Sequence, residues 1–319
     1  MKRWGLIIVV ALLGLRVSPV HADEHGWEYL IARLIGDGVG RERVLSAFRD
    51  WRVAAFTGLE FSADTPHEPR SRYRRFLRPA SVAAARRCRL GRAQDFEAAE
   101  RAYGVSANVL AAIFFVESGC GRNTGSSVIF YRLARLAMAN EPNNLQRNLE
   151  NWTTGDGTID PATAAQLRAR ARYLENTFYP EVRALFDVAD RMRVSPLEIR
   201  GSSSGAFGYP QFLPRSYLEY GVDADGDGGI SLYDTADAAA SCAHYFAGHG
   251  WRPGLSQAQR RTAVWSYNHS EAYVDTVLTL AARLGTAPIV QAKRTVPHSR
   301  SKHRQQRVAA SQKHKAKKS

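Results

Sequence analysis

The chain has 319 residues and a formal net charge of +14, but this charge is concentrated at its two ends. Three basic residues precede residue 17 and ten lie in residues 287–319, which contain no acid, so the rest of the chain carries a net charge of +1. Because the body of the chain is nearly neutral, the high isoelectric point does not by itself indicate a nucleic-acid-binding protein.

Residues 1–22 have the composition of a signal peptide. Lys2 and Arg3 precede an apolar run from Trp4 to Leu15, and Val20-His21-Ala22 fits a small-residue cleavage site. The alternative is an N-terminal membrane anchor, but the apolar run is shorter than the roughly 20 residues that a spanning helix needs. We therefore expect a cleaved leader and a periplasmic protein.

The body, residues 23–286, is predicted to be mainly α-helical with at most one small hairpin, because strand-like alternation is scarce. Ser106 is the expected N-cap of a helix that runs past Val116, and Ser195-Pro196-Leu197-Glu198 is the expected start of another helix. Turn-rich segments are expected to form loops at 57–72, 151–161, 201–210 and 223–234. The segments with helical spacing are 26–50 (two helices), 80–103, 106–119, 161–179, 181–192, 235–248 and 271–284.

The acidic segment from Asp223 to Asp234 has the spacing of an EF-hand loop. Oxygen-bearing side chains fall at positions 1, 3, 5, 9 and 12, and Gly228 falls at position 6, where such a loop turns sharply. An acidic surface turn is the alternative interpretation. The predicted metal ligands are Asp223, Asp225, Asp227, Gly229, Ser231 and Asp234, with Asp234 in place of the usual Glu.

The three cysteines, Cys88, Cys120 and Cys242, are expected to lie in an oxidising compartment. They can form at most one internal disulfide, and the sequence leaves all three pairings open.

Glu117 is a candidate catalytic acid, because it ends a largely apolar helix and precedes a glycine-rich turn. Desolvation at such a position is expected to raise the pKa of the carboxyl, as a general acid requires at neutral pH. A solvent-facing glutamate at a helix end is the alternative, and from this residue alone that alternative would be favoured.

Four sequence blocks in order resemble those of the lytic murein transglycosylases of the B type. The segment from Tyr73 to Leu77 also fits this family, and the resemblance extends from about residue 26 to 284. The four blocks are Tyr103–Gly125 around Glu117, Gly205–Tyr217, the acidic segment Asp223–Asp234, and Trp265–Ser270.

The resemblance implies a lysozyme-like fold of the α+β type and cleavage of the β-1,4 bond between N-acetylmuramic acid and N-acetylglucosamine in peptidoglycan. Glu117 would protonate the glycosidic oxygen as its bond to N-acetylmuramic acid breaks, and would then deprotonate the 6-hydroxyl of that sugar. A 1,6-anhydro end would thus form with a single carboxylate. No cofactor is implied for the chemistry, and calcium is implied in a structural role. The implied substrate-binding residues are Ser202, Tyr209, Gln211, Tyr267 and Asn268, although core packing is an equal alternative for the two tyrosines.

The chain departs from the family pattern in two places. Cys120 stands where these enzymes usually carry a large aromatic or apolar residue, and the segment between Glu117 and Gly205 is longer than usual. We expect the extra length to include an insertion at residues 145–176, which would alter substrate preference more than the type of reaction.

Two other functions remain open at this stage. A muramidase-type hydrolase on the same fold would give reducing ends instead of anhydro ends, and a cell-wall-binding protein would keep the cleft without turnover. The tail, residues 287–319, is expected to be disordered because it lacks apolar periodicity. It is either an arm that holds the protein near an anionic envelope polymer or a solvated tail, and export argues against a nucleic-acid partner.

Overall fold

The computed structural model describes residues 25–64, 69–155 and 157–285. The expected leader and the expected basic tail lie outside the described residues. Within the described residues the chain forms thirteen α-helices, one short 3-10 turn at Arg75–Leu77 and two short strands. The helices are α1 Glu28–Gly36, α2 Arg41–Phe48, α3 Arg70–Arg74, α4 Pro79–Gly91, α5 Ala93–Tyr103, α6 Ala107–Ser118, α7 Ile129–Ala137, α8 Pro142–Glu150, α9 Pro161–Met192, α10 Pro214–Tyr220, α11 Thr235–Gly248, α12 Gln257–Tyr267 and α13 Glu271–Gly285; the strands are β1 Ser127–Val128 and β2 Arg200–Gly201.

The two strands pair antiparallel, with Ser127 opposite Gly201 and Val128 opposite Arg200. The prediction of a mainly α-helical fold is therefore confirmed, and the strand content is as small as expected. The strands do not form a hairpin, because helices α7, α8 and α9 lie between them in the chain.

Helix α6 is the centre of one of two hydrophobic clusters. It is apolar on all sides, and the residues from Val109 to Phe115 are buried against α4, α5, α11 and α13. Its predicted N-cap is confirmed, since the Ser106 side chain accepts a hydrogen bond from the Asn108 amide at 3.3 Å. The second cluster is built from α1, α2, α7, α9 and α10. Burial of α6 on every side fixes the position of its C-terminal turn, which carries Glu117.

Helix α9 differs from the prediction of two helices at 161–179 and 181–192. It is one helix of 32 residues with Pro180 inside it. A proline in a helix removes one backbone hydrogen bond, but α9 packs extensively against α7, and Tyr179 and Val182 on either side of the proline are buried.

The helix start predicted at Ser195 is wrong. Residues 195–198 form only a turn, in which the Ser195 amide donates to the Glu198 carboxylate at 3.1 Å. The chain enters strand β2 at Arg200, so no helical turn can follow. Helices α3, α7, α8, α10 and α12 were not predicted individually, and α3 begins within the segment 57–72 that was predicted to be a loop. No helix among the described residues combines the length and the apolar character needed to cross a bilayer.

The disulfide joins Cys88 of α4 to Cys120, which lies in the turn after α6. Cys242 is a free thiol that is buried in α11. Of the three pairings that the sequence left open, the structure therefore selects the one that links α4 to the neighbourhood of Glu117.

Candidate active site

Glu117 lies in the last turn of α6 and borders two adjoining cavities of about 230 and 310 Å³. The smaller cavity is also lined by Tyr73, Asn268 and Tyr273, and the larger by Ser118 and Asn123 among others. Residues from α3, α6 and the start of α13 therefore surround one carboxylate. Glu117 therefore lies in a cleft that is open to solvent. Its carboxylate is not simply a charge at an exposed helix end.

Tyr273 of α13 contacts the carboxylate directly. Its hydroxyl donates a hydrogen bond to Glu117 Oε1 at 2.6 Å. The ring is 1% exposed, and burial, followed by the charge of Glu117, raises the pKa of Tyr273 well above its ordinary value. Tyr273 is therefore protonated at neutral pH and acts as a hydrogen-bond donor that fixes one oxygen of the carboxylate.

Tyr273 was not among the predicted site residues. It lies three positions beyond the block Trp265–Ser270 that carried the resemblance, so the block ended too early to include it. A tyrosine near the start of a helix is common, and only the packing of α13 against α6 brings this one to Glu117.

Asn268 and Tyr267, which were predicted from the same block, have different environments. Asn268 lines the smaller cavity with Glu117. The Tyr267 hydroxyl donates to the Pro210 carbonyl, and its ring stacks on Phe246 with centroids 5.3 Å apart and lies parallel to Tyr273 at 6.4 Å. The ring of Tyr267 therefore packs beside that of Tyr273, as expected of a packed core residue.

The other three predicted substrate-binding residues, Ser202, Tyr209 and Gln211, do not line the two cavities at Glu117. The Ser202 hydroxyl accepts from the Ala206 amide at 3.1 Å, and the Gln211 amide group donates to the carbonyls of Thr124 and Gly208. These side-chain contacts hold the loop that precedes α10.

Tyr209 packs against the turn that follows Glu117. A Cβ atom at Gly121 would lie 2.3 Å from the Tyr209 ring, so the ring is in direct contact with the backbone there. Its edge also meets Phe114 of α6, with centroids 5.9 Å apart. Tyr209 thus stabilises the end of α6.

Three arginines, Arg72, Arg75 and Arg122, also line the two cavities. Among the described residues that line them, Glu117 is the only carboxylate. The described part of the chain therefore brings no second acid to these two cavities, where most glycosidases would need a partner for the first.

Another cavity, of about 740 Å³, does not include Glu117. It lies at the opposite end of α6, near Ser106 and Trp251, and among the described residues Glu100 is the only acid that lines it. The carboxylate of Glu100 accepts a hydrogen bond from the Ala107 amide at 3.0 Å, so it serves as a helix cap.

The acidic loop brings its first three carboxylates together as the spacing predicted. One oxygen from each of Asp223, Asp225 and Asp227 lies within 4.8 Å of the others. Their carboxylates also accept backbone amides of the loop, for example Asp223 from Gly226 and Gly228. An all-oxygen set in a 12-residue loop fits a hard cation such as Ca²⁺.

Asp237 joins this cluster although the sequence analysis missed it. Its carboxylate forms a second group with Asp225 and Asp234, and it accepts hydrogen bonds from the amides of Ala224 and Ser231. The hydrogen bond from the Asp227 amide lowers the pKa of Asp225, but desolvation and the neighbouring carboxylates together outweigh it, so the pKa is raised. Asp234 also caps α11, and the Ser231 hydroxyl accepts from the Tyr233 amide at 3.3 Å.

Comparison with known proteins gives a consistent result. Residues 23–262 match the family described as "Transglycosylase SLT domain". The membrane-bound lytic murein transglycosylase B of Escherichia coli is 35% identical over 152 residues, which cover 48% of this chain and 34% of that relative's length.

Solved structures of lytic transglycosylases share the fold. The Escherichia coli enzyme Slt35, in complex with calcium, matches with a TM-score of 0.59 and 21% identity over 81% of this chain and 92% of that chain. SltB3 of Pseudomonas aeruginosa, in complex with NAG-anhNAM-pentapeptide, matches with a TM-score of 0.60 and 17% identity over 82% of this chain and 79% of that chain.

Proposed function

This chain belongs to the transglycosylase SLT family, and we propose that it is a lytic transglycosylase that cleaves peptidoglycan strands between N-acetylmuramic acid and N-acetylglucosamine. One observation carries the proposal: Glu117, held by Tyr273 at 2.6 Å, is the only carboxylate among the described residues lining its two cavities. A reaction that needs one carboxylate fits this cleft better than one that needs two.

In the proposed reaction the protonated Glu117 gives its proton to the glycosidic oxygen as the bond to N-acetylmuramic acid breaks. The resulting carboxylate then removes the proton from the 6-hydroxyl of the same sugar, and that oxygen closes the ring on the anomeric carbon. The proton returns to Glu117, so each cycle ends with the acid restored. No water enters the product.

The surrounding side chains support this role. Tyr273 remains a hydrogen-bond donor, so it stabilises the ionised form of Glu117 that exists between the two proton transfers. Asn268 borders the same cavity and offers an amide to the N-acetyl or hydroxyl groups of a sugar. For Tyr209, Gln211 and Ser202 we propose a supporting role through the loop before α10.

The acidic loop is proposed to bind Ca²⁺ through Asp223, Asp225, Asp227, Gly229, Ser231 and Asp234, with Asp237 added. When bound, the ion would neutralise mutually repelling carboxylates and stabilise the fold. The lytic transglycosylase Slt35, of the same fold, is known in a complex with calcium.

We further propose that the protein acts in the periplasm, where its substrate lies. The support is the composition of residues 1–22 and a disulfide that an oxidising compartment favours. N-terminal sequencing of the protein recovered from the periplasm tests this, and an intact N-terminus at Met1 would contradict cleavage of the leader.

Mass spectrometry of the soluble products tests the proposed reaction. Purified protein is incubated with peptidoglycan sacculi, and the products are compared with those of a known muramidase. The proposal predicts muropeptides that are each one water lighter than the hydrolytic products. Products with reducing ends would make the protein a hydrolase, and binding without any products would make it a wall-binding protein.

A further inference from the structure

We propose that the C-terminal end of α4 is a clamp that positions the catalytic turn, with the Cys88–Cys120 disulfide and Arg92 as its two positioning elements. The catalytic turn is defined here as residues 118–121, which follow Glu117 directly. This inference rests on the proposed role of Glu117, because it states how that carboxylate is held for turnover.

The catalytic turn has an unusual backbone. Gly119, Cys120 and Gly121 all have positive φ, at 59°, 64° and 81°. Glycine adopts such angles freely, but a residue with a Cβ atom does so uncommonly, so Cys120 needs support from its surroundings. Part of that support is local, since the Cys120 amide donates to the Phe114 carbonyl at 2.8 Å.

The disulfide supplies the first long-range restraint. Cys88 lies near the C-terminal end of α4, and Cys120 lies between two glycines, so the bond ties a glycine-flanked turn to a helix that packs against α6. Both cysteines are 6% exposed. The Cα atoms are 6.2 Å apart, which brings α4 directly against the catalytic turn.

Arg92 supplies the second restraint, one helical turn beyond Cys88. Its Nη2 atom donates to the Cys120 carbonyl at 3.2 Å, and its Nε atom donates to the Thr235 hydroxyl at 3.2 Å. The guanidinium also lies 5.5 Å from the centre of the Tyr209 ring. A planar group with several fixed donors can make these contacts at once, which a lysine cannot.

These contacts place the clamp between the acidic loop and the cleft. Thr235 is the first residue of α11 and follows Asp234 directly, and the Tyr209 amide donates to the Leu232 carbonyl at 2.7 Å. Cys88, Cys120 and Arg92 do not line the two cavities at Glu117. Loss of the clamp should therefore reduce turnover more than it weakens substrate binding.

Reversible reduction of the native protein is the first test. Dithiothreitol cleaves the disulfide to two thiols and is itself oxidised to a cyclic disulfide; kcat and KM are then measured before reduction, after it, and after reoxidation. We expect kcat to fall roughly 10-fold or more, because small displacements of a catalytic group have large effects, with KM changed less than about twofold, and full recovery on reoxidation. The variant Cys88→Ala/Cys120→Ala must have low kcat without any response to the reductant.

Substitution of Arg92, which directly follows α4, is the second test, and Arg89 in the last turn of α4 is the matched control. Arg89 donates to Glu97 of α5 at 3.0 Å, a contact that lies outside the catalytic turn. We expect Arg92→Gln to lower kcat by roughly 5- to 10-fold with KM nearly unchanged, Arg92→Lys to give an intermediate kcat, and Arg89→Gln to leave kcat unchanged. All are assayed well below their melting temperatures, so that a loss of stability alone does not lower kcat.

The outcomes separate this inference from the proposed function. If Glu117→Gln is inactive but reduction and Arg92→Gln leave kcat unchanged, the clamp is wrong and the catalytic role stands. If reduction raises KM and not kcat, the disulfide shapes substrate binding and the inference is also overturned. If Glu117→Gln is fully active, the proposed function itself fails.

Discussion

The acidic loop and the catalytic cleft are linked by the contacts of Arg92 with Thr235 and Cys120, yet the two sites are assembled in different ways. The loop uses consecutive residues from Asp223 to Asp234, and its carboxylates bond mostly to amides of the same segment. The cleft collects Tyr73, Glu117 and Tyr273 from three distant parts of the chain. A local site therefore depends on spacing, whereas a distributed site depends on how helices pack.

This difference predicts that changes in the two regions will have separate effects. Changes in the cleft should alter turnover with little effect on stability, and changes in the loop should alter stability with little effect on chemistry. Arg92 is the exception, since it contacts Cys120 on one side and Thr235 on the other.

The largest effect is expected for Glu117→Gln. Glutamine is nearly the same size but can neither donate nor accept a proton in the reaction, so kcat should fall by roughly 10³-fold or more, within the range of general acid–base catalysis. Release of soluble muropeptides from sacculi measures the loss. Circular dichroism and a binding assay on sacculi should match the native protein, and substantial remaining activity would show that another group is the acid.

Tyr273→Phe should have the next largest effect. It removes one hydrogen bond to an ionised carboxylate, which is worth about 1.5–3 kcal/mol and corresponds to roughly 10- to 100-fold in kcat. Tyr179→Phe is the matched control, because that buried tyrosine donates to Asp37 at 2.6 Å far along the chain from the cleft. Equal loss of kcat in both variants would mean that Tyr273 acts only through stability.

Removal of calcium should lower stability and leave the chemistry intact. At a metal concentration about 100 times the dissociation constant, binding contributes about 2.7 kcal/mol, so EDTA should lower the melting temperature by several degrees. Asp225→Asn should show the low melting temperature already, without a further response to EDTA. An unchanged melting temperature of the native protein would remove the proposed metal site.

The smallest effect concerns alkaline pH. Burial raises the pKa of Tyr217 to about 12 and that of Tyr233 to about 12, from an ordinary value of 10.0. The folded state holds these protons more tightly than the unfolded state, so their contribution is complete below pH 10 and is lost as the pH rises toward 12. Denaturant unfolding at pH 8, 10 and 11 should show a decline only above pH 10, and a flat profile would contradict it.

The sequence predicted the parts of the molecule that depend on neighbouring residues. The N-cap at Ser106, the helix over 106–119 and the first three acids of the loop follow from local spacing, and the structure agrees with each. The continuous helix through Pro180 was missed, because its packing against α7 outweighs the local cost of proline.

Two further features depend on which helices meet, which the spacing of residues along the chain does not reveal. Tyr273 was therefore missed, and the Cys88–Cys120 pairing was left open with the two other pairings. Asp237 was missed for a different reason, because it lies three residues beyond the 12-residue pattern, in the first turn of α11. Its carboxylate nevertheless accepts hydrogen bonds from amides of the loop. For Tyr267 the sequence left substrate binding and core packing equally open, and the stacking of its ring on Phe246 favours packing.

The most direct test of the central claim is digestion of peptidoglycan in H₂¹⁸O, followed by mass spectrometry of the new sugar ends. If Glu117 alone transfers both protons and the 6-hydroxyl closes the ring, the new ends contain no ¹⁸O. Incorporation of one ¹⁸O atom at each new reducing end would show that water attacks the anomeric carbon, and the single-carboxylate mechanism would be wrong.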